Sequence, residues 1–280
     1  MRRVRPRFAV VGHVEWVQFA RVQHVPDAGS VVHAQASFEE PAGGGAVAAV
    51  QLARLAGEAV LVTALGDDDH GRRARLRLRE LGVSVWAAPR ARPTRRAVTL
   101  VDDAGERTIV TFGDRLEPVA ADQEIRWERL AEMDAVYFSA GDADALRRAR
   151  AARLVVATPR ADGALGHGVA LDALVLSAGD ELERRLAERY GREAQVVVST
   201  RGARGGTYRR RDGKSGSFAP APVPGEIVDS YGCGDAFAAG LTYGLGRGSS
   251  LTDALALAAR CGAACLTGHG PYERQLTCAG

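Results

Sequence analysis

The sequence predicts an α/β fold, with a mostly parallel central sheet covered by helices on both faces in a three-layer α/β/α arrangement. The first observation is that short, continuous apolar runs alternate with helical stretches, as expected for strands buried on both faces. The second is that two segments, near residues 19–38 and 95–111, alternate apolar and polar side chains, as strands with one wet face do. We expect these segments to pair as a small β-layer within one domain spanning residues 1–280.

The elements of the N-terminal half follow from these patterns. The first apolar run ends in glycine, which predicts the first buried strand. A glycine-rich turn opens an Ala/Val/Leu segment and an aspartate-rich turn opens an arginine-rich one, so a helix is predicted after each. The predicted strands are residues 8–12, 30–36, 60–66, 97–101 and 107–111, and the predicted helices begin near residues 43–45 and 67–71.

The C-terminal half alternates more regularly between apolar runs and helical stretches. Its final strand-like segment leads into a glycine-rich turn and then an apolar segment with helical spacing. The predicted strands are residues 135–139, 154–157, 173–176, 195–199 and 225–228.

Composition limits the classes of function. With 46% hydrophobic residues among 280, the chain can bury a large core. No apolar run is long enough to span a membrane, and the N-terminus does not resemble a secretory leader. The four cysteines lack the spacing of a metal site. These features predict a cytoplasmic protein with free thiols and no membrane partner.

The distribution of charge argues against a nucleic-acid partner, because the net charge is only +3. The densest basic run, residues 72–79, places Ala74 and Leu78 on one helical face and therefore indicates an amphipathic helix with solvated arginines. The single lysine, Lys214, lies in a turn without the glycine spacing of a P-loop. P-loop and Schiff-base chemistry are both disfavoured.

The most informative segment is DSYGCGDAF, residues 229–237. Gly232 and Gly234 precede a helix, where successive N–H groups and the helix dipole suit an anion such as phosphate. Asp235 follows directly and can take a proton from a hydroxyl group. An anion cradle beside a carboxylate suits phosphoryl transfer, although a tight turn with a helix cap would use the same residue types.

This segment resembles the Asp-Thr-x-Gly-x-Gly-Asp signature of the ribokinase-like (PfkB) family of carbohydrate and nucleoside kinases. Both aspartates, both glycines and a hydroxyl at the second place are kept. The resemblance implies ATP-dependent transfer of the γ-phosphoryl group to a hydroxyl of a sugar, sugar derivative or nucleoside. It implies that Asp235 is the general base and that the anion hole is formed by the backbone of Gly232, Cys233 and Gly234.

The resemblance also implies a ribokinase-like fold in which the two alternating segments, about residues 16–40 and 93–114, form a small β lid over the sugar. The implied partners are ATP and a small hydroxyl-bearing substrate, with Mg²⁺ as the cofactor. A monovalent cation near Asp229 and a homodimer formed through the lid are further expectations.

Two more segments resemble nucleotide-side motifs of the family. Thr200, Gly202 and Gly205 match a Thr-x-Gly-x-x-Gly loop that lies along the nucleotide, although a tight turn would also account for them. Ser177 and Asp180 stand where the family has an Asn-x-x-Glu motif that organises magnesium through water. Asp180 keeps an oxygen ligand suited to Mg²⁺, and a helix-capping role for Ser177 is the alternative.

The acceptor end departs from the family pattern. The usual aspartate is replaced by Val17 and the usual asparagine by Val47, so two contacts to sugar hydroxyls are lost and free ribose is predicted to be a poor substrate. We expect the acceptor to be bound instead by Glu15, Gly44 and Gly45.

Four other side chains near the acceptor end have two interpretations each. His13 and Trp16 are candidate acceptor contacts, and Trp16 is equally a candidate core residue. Arg95 and Arg107, in the second lid segment, are either solvated strand arginines or partners for a phosphate or carboxylate on the acceptor.

Two functions from different classes remain open. The first is an ATP-dependent small-molecule kinase, which the intact Gly232, Gly234 and Asp235 favour. The second is a ribokinase-like protein that has lost turnover and binds a ligand for regulation. A Rossmann-type dehydrogenase is less compatible, because Phe237 occupies the place of the third glycine.

Overall fold

A computed structural model describes residues 6–278 and contains two β-sheets and six α-helices in that range. The strands are β1 (Phe8–Val11), β2 (Glu15–Arg21), β3 (Ala36–Ala42), β4 (Ala59–Gly66), β5 (Val83–Arg90), β6 (Arg96–Val101), β7 (Arg107–Phe112), β8 (Ala135–Phe138), β9 (Val155–Ala157), β10 (Leu171–Ser177), β11 (Ala194–Thr200), β12 (Gly206–Arg210) and β13 (Ser215–Phe218). The helices are α1 (Gly44–Ala56), α2 (Asp69–Glu80), α3 (Ala143–Ala149), α4 (Glu181–Tyr190), α5 (Cys233–Gly246) and α6 (Leu251–Cys265).

The central sheet has nine strands in the order β13-β12-β11-β10-β9-β8-β1-β4-β5. All neighbouring pairs from β5 to β11 are parallel, and β12 and β13 extend the sheet as an antiparallel hairpin. Helices cover both faces, because alternate residues of the central strands enter two different cores. Phe8 and Val10 pack with α1, α5 and α6, whereas Ala9 and Val11 pack with α3. The predicted three-layer, mostly parallel fold is confirmed.

The second sheet, here called the lid sheet, has four strands in the order β3-β2-β6-β7. Its outer pairs are antiparallel, but its central pair, β2 and β6, is parallel. The physical reason is the long connection through β4, α2 and β5, which returns the chain to the lid sheet in its original direction.

The lid sheet packs against the signature segment through aromatic side chains. The ring of Phe19 stacks on Phe38 with 4.8 Å between centroids and meets Tyr231 edge-on at 4.9 Å. This contact fixes one face of the lid sheet toward the start of α5, which sets the space in which a ligand can lie.

Two strand predictions were wrong. Residues 30–35 are irregular and mostly exposed, and β3 begins only at Ala36, where the ladder with β2 starts. Residues 225–228 form no strand, because the N–H groups of Val228 and Asp229 both donate to the carbonyl oxygen of Leu266 rather than to a ladder. The sequence also missed β5 and the β12–β13 hairpin. In the hairpin, polar and glycine residues hid the strand character.

The arginine-rich helix α2 packs as its pattern predicted, with Ala74 and Leu78 buried. Two of its arginines reach the lid sheet: Arg73 pairs with Glu39 at 3.0 Å, and Arg77 pairs with Glu40 at 2.8 Å. These two ion pairs therefore connect α2 to β3. Among the described residues no helix has the length and apolar character needed to cross a bilayer.

Candidate active site

The segments that carry the predicted site residues meet at the carboxyl ends of the parallel strands, where open α/β sheets bind their ligands. His13 follows β1, Ser177 ends β10 and Thr200 ends β11. The signature segment adds the N-terminus of α5, and the lid sheet closes the opposite side through the contact between Phe19 and Tyr231. We call the space bounded by Gly44, Asp235 and the facing lid side chains the acceptor cleft.

The turn before α5 is held by Asp229, a buried carboxylate. Its Oδ1 accepts the N–H of Tyr231 at 2.8 Å, and its Oδ2 accepts the N–H of Gly270 at 3.0 Å. Burial raises the pKa of Asp229, and these two hydrogen bonds oppose that shift. Both oxygens therefore already organise backbone, so the first role of Asp229 is to shape the turn.

The two signature glycines have different roles. Gly232 has φ +79°, and a Cβ there would lie 2.9 Å from Cγ1 of Val47, so the position needs glycine for conformation and for space. Gly234 lies in the first turn of α5 with an ordinary φ, and a Cβ there would meet no atom within 4 Å. The positive φ and the crowded Cβ position therefore both belong to Gly232, and the space beside Gly234 is open.

This difference predicts opposite effects on stability. Gly232→Ala should lower the unfolding free energy by about 1–2 kcal/mol from the left-handed backbone alone, with a further loss from the contact with Val47. Gly234→Ala should leave the melting temperature unchanged or raised, since alanine favours a helix. Thermal unfolding of both variants checks this, and equal melting temperatures would contradict the assignment.

Asp235 lies at the floor of the acceptor cleft, in the first turn of α5. A Cβ built on Gly44 would be 2.8 Å from its Oδ1, so the carboxylate lies against the α1 backbone. Burial raises the pKa of Asp235 above its usual value; the neighbouring His13, Arg107 and Arg160 oppose this rise, and Glu183 adds to it. The carboxylate is thus both desolvated and within electrostatic reach of basic side chains, an environment that suits a group exchanging a proton.

Glu15 lies on the lid side of the cleft and is 7% exposed. Its Oε1 is 3.5 Å from Nε2 of His13 and 3.3 Å from an η nitrogen of Arg95. Burial alone would raise the pKa of Glu15, but the neighbouring His13 and Arg95 outweigh it and hold the pKa below the usual value. Glu15 is therefore an ionised carboxylate that is already paired.

Gly44 and Gly45, the first two residues of α1, also have different roles. Gly44 is partly exposed beside Asp235. Gly45 is buried, and a Cβ there would be 2.7 Å from the carbonyl oxygen of His13, so its role is close packing of α1 on the chain after β1. Of the two glycines predicted to bind the acceptor, the structure brings only Gly44 to the cleft.

Three other acceptor-side side chains are buried as packing residues. Trp16 stacks on His70 with 5.6 Å between centroids, and the Arg73 guanidinium lies 4.2 Å from its ring centre. Trp16 is thus a core residue beneath α2. Val17 and Val47 have no exposed surface, which agrees with the loss of hydroxyl-binding side chains at those places.

The predicted nucleotide loop borders a pocket of about 490 Å³. Gly202 lines the pocket with φ +55° and nothing within 4 Å of a built Cβ. A Cβ on Gly205 would instead be 2.1 Å from the Phe218 carbonyl oxygen. Glycine at this position therefore allows the end of the β12–β13 hairpin to pack closely against the loop. The Thr200 hydroxyl donates to the Leu176 carbonyl and ties the strand ends together. The other lining residues are Ser177, Ala178, Gly179, Arg184, Ser199, Arg201 and Arg204.

Asp180 is the N-cap of α4, since its Oδ1 accepts the N–H of Glu183 at 3.0 Å. Its Oδ2 pairs with Arg160 at 2.5 Å, so each oxygen already has a protein partner that a metal ion would have to share or displace. No group of three or more His, Cys, Asp or Glu side chains within residues 6–278 is arranged to hold a metal. These residues do not form a metal cage, and they fit only an ion carried mainly by nucleotide phosphates.

Sequence reasoning missed two charged residues of this site. Glu183 is 7% exposed, accepts the N–H of Ser177 at 2.7 Å and pairs with Arg160. Glu183 adds to the rise in the pKa of Asp235 and Arg160 opposes it, so both lie within electrostatic reach of that carboxylate. The only sequence signal was the position of Glu183 in the first turn of the helix that follows β10, since Arg160 belongs to a short helical turn with no distinctive pattern.

A lidded α/β/α domain with a glycine-aspartate turn at a helix N-terminus defines the class of ribokinase-like small-molecule kinases. The family model described as pfkB family carbohydrate kinase matches residues 5–164 and 171–278, and the chain belongs to this family.

Curated relatives differ in the acceptor that their names give. The ATP-dependent ribose-1-phosphate kinase of Halopiger xanaduensis is 30% identical over 272 residues, covering 92% of this chain and 90% of the relative. The fructoselysine 6-kinase of Escherichia coli is 30% identical over 250 residues, covering 82% and 91%. The relatives therefore support kinase chemistry without indicating one acceptor.

Solved structures support the fold. Ribokinase from Thermotoga maritima superposes with a TM-score of 0.77 at 20% identity, covering 97% of this chain and 96% of that one. Arabidopsis thaliana ribokinase complexed with ribose and ATP gives a TM-score of 0.75 at 19% identity, covering 98% and 96%.

Proposed function

We propose that this protein is an ATP-dependent kinase that transfers the γ-phosphoryl group to a hydroxyl of a sugar, sugar derivative or nucleoside. The observation that carries the proposal is the position of Asp235. Its carboxylate lies against Gly44 at the floor of the acceptor cleft and beside the open face of Gly234 at the start of α5. A base and an anion-binding helix terminus thus adjoin one space, which is what attack of a hydroxyl on a phosphoryl group requires.

In this mechanism Asp235 takes the proton of the acceptor hydroxyl as the oxygen attacks the γ-phosphorus. The N–H groups of Gly232, Cys233, Gly234 and Asp235 receive the charge that develops on the transferred group. Arg160 is held by Asp180 and Glu183, and its charge opposes the rise in the pKa of Asp235. Magnesium bound to the nucleotide would neutralise phosphate charge.

On the nucleotide side, we propose that Thr200, Gly202 and Gly205 shape the loop over which ATP lies. Gly202 is the member with open space for close approach, while Thr200 and Gly205 maintain the loop. Asp180 contributes by positioning Arg160 rather than by binding the metal directly.

The raised pKa of Asp235 predicts the pH profile. The active form is the carboxylate, so kcat/KM should fall as pH drops through a pKa above the ordinary aspartate value of about 3.9. Arg160→Gln removes a positive charge that opposes the shift, so the acid limb should move to higher pH. Arg147→Gln, an exposed arginine on α3, is the control. If the acid limb of the kcat/KM profile lay at the same pH in the Arg160→Gln variant as in the wild type, this electrostatic account would be wrong.

A coupled assay of ADP formation against sugars, sugar acids, sugar phosphates and nucleosides tests the proposed function. An acceptor-dependent rate that Asp235→Asn removes supports it. The alternative, a ribokinase-like ligand-binding protein without turnover, requires that acceptors and ATP bind while no acceptor stimulates ADP release.

Four expectations accompany the proposal. A homodimer through the lid is supported by β7, a free edge strand whose side chains are all exposed, Val110 and Phe112 among them. A monovalent cation beside Asp229 stays a prediction, and K⁺ dependence of the rate tests it. A cytoplasmic location and a single domain with its lid segments also stay predictions from the sequence.

A further inference from the structure

We propose that the acceptor carries a negatively charged oxygen group, a phosphate or a carboxylate, and that Arg107 and Arg95 of the lid sheet bind it. This inference rests on the proposed kinase function and names the class of its acceptor. Both arginines lie on the cleft-facing side of the lid sheet.

The cleft-facing side of the lid sheet is identified by contacts and register. An η nitrogen of Arg107 donates to the carbonyl oxygen of Ser230 at 2.9 Å and to its hydroxyl at 3.0 Å, so this side chain crosses to the signature segment. Arg107 pairs in register with Val101. Because side chains on one strand alternate between faces and cross-strand partners share a face, Arg107 and Val101 lie on the same side of the lid sheet. Arg95 shares this side, because it contacts Glu15 and donates to Thr111 at 2.7 Å.

Arg107 has no carboxylate partner among the described residues. Its recorded side-chain hydrogen bonds go to uncharged oxygens of Ser230. Its charge nevertheless reaches the reaction centre, since it lowers the pKa of both Asp229 and Asp235. An arginine anchored by one nitrogen beside the cleft keeps the rest of its planar fork for an oxyanion, which guanidinium binds in bidentate fashion.

Arg95 is half-buried and only partly satisfied. Glu15 balances its charge, but its Nε–H is buried and has no hydrogen-bond partner within residues 6–278. The Nδ1 of neighbouring His13 is also buried without a partner. A buried donor without an acceptor is costly, so a shift of the Arg95 side chain that brings its Nε–H to a ligand oxygen would be favourable.

The lid side of the cleft favours an anion over a cationic group. Glu15 and Arg95 offset each other there, and Arg107 forms no ion pair with a carboxylate within residues 6–278. The two places where polar side chains would contact sugar hydroxyls are the buried Val17 and Val47. Recognition of the acceptor therefore shifts from hydroxyl contacts to charge.

The test compares matched acceptors that differ in charge. The pairs are D-ribose 1-phosphate with D-ribose, D-fructose 6-phosphate with D-fructose, and D-gluconate with D-glucitol, so phosphate and carboxylate are separate arms. Binding is measured by calorimetry without ATP, and kcat/KM is measured by the coupled assay. The variants are Arg107→Gln, Arg95→Gln and the control Arg96→Gln, whose exposed side chain lies over Phe112 on the other side of the lid sheet.

The anionic member of at least one pair should bind at least about tenfold tighter than its neutral partner, and Arg107→Gln should weaken it by about 10- to 100-fold. Neutral acceptors and Arg96→Gln should show no change. Arg107 is exposed, so its variant should fold even if Arg95→Gln does not.

Anion-selective binding that depends on Arg107, without phosphoryl transfer, would uphold this inference while the proposed kinase function fails. Two results would overturn the inference. One is that no anionic member binds better than its neutral partner. The other is that Arg107→Gln and Arg96→Gln weaken anion binding equally.

Discussion

Replacing Asp235 with asparagine is expected to lower kcat by about 10²–10⁴-fold, the usual contribution of a general base. The amide keeps the size of the carboxylate but cannot accept the hydroxyl proton. Because the carboxylate is partly desolvated, removing its charge should not weaken the fold, and the melting temperature should stay level or rise. Steady-state kinetics and thermal unfolding measure the two effects.

Asp144→Asn is a matched control, since Asp144 is also an aspartate in the first turn of a helix, exposed on α3. Its variant should keep the full rate. ATP binding to the Asp235→Asn protein should persist, because the nucleotide pocket is lined by other residues. A kcat near the wild-type value would remove Asp235 from the role of base.

Gly44→Ala is expected to cost about 10²-fold in kcat/KM, the scale reached when a reacting group is displaced by about 1 Å. A Cβ at this position would lie 2.8 Å from Oδ1 of Asp235, closer than such atoms approach, so the carboxylate must turn away. The φ of Gly44 is not in the left-handed region, so the fold should tolerate alanine. The expected result is therefore lost activity with an unchanged melting temperature.

Gly163→Ala provides the comparison, because a Cβ there meets no atom within 4 Å. It should leave both activity and stability unchanged. If Gly44→Ala retained full activity, the acceptor cleft would not be where Asp235 and Gly44 meet.

The sequence could predict the candidate reaction centre because the proposed chemistry is local. Gly232, Gly234 and Asp235 are neighbours in the chain, and a glycine-rich turn before a helix suits an anion. It could not predict which glycine is conformationally required. That depends on Val47, which lies far away in the sequence and packs against Gly232.

Asp180 shows the same limit. Its place after β10 made it a reasonable magnesium ligand, but Arg160 from a separate segment occupies one oxygen and the α4 backbone occupies the other. Sequence spacing reports which groups are available within one segment. It does not report which distant charge has already paired with them.

The sequence by itself determined the α/β class, the positions of most strands along the chain and the segment that carries Asp235. Apolar periodicity and turn chemistry suffice for this because they act over a few neighbouring residues. Only the tertiary structure decided how the cleft is lined. It paired Glu15 with Arg95 and His13, and it carried Arg107 from the lid sheet to the signature segment. Such contacts join residues remote in the chain, and their energies depend on burial and distance, which no local pattern contains.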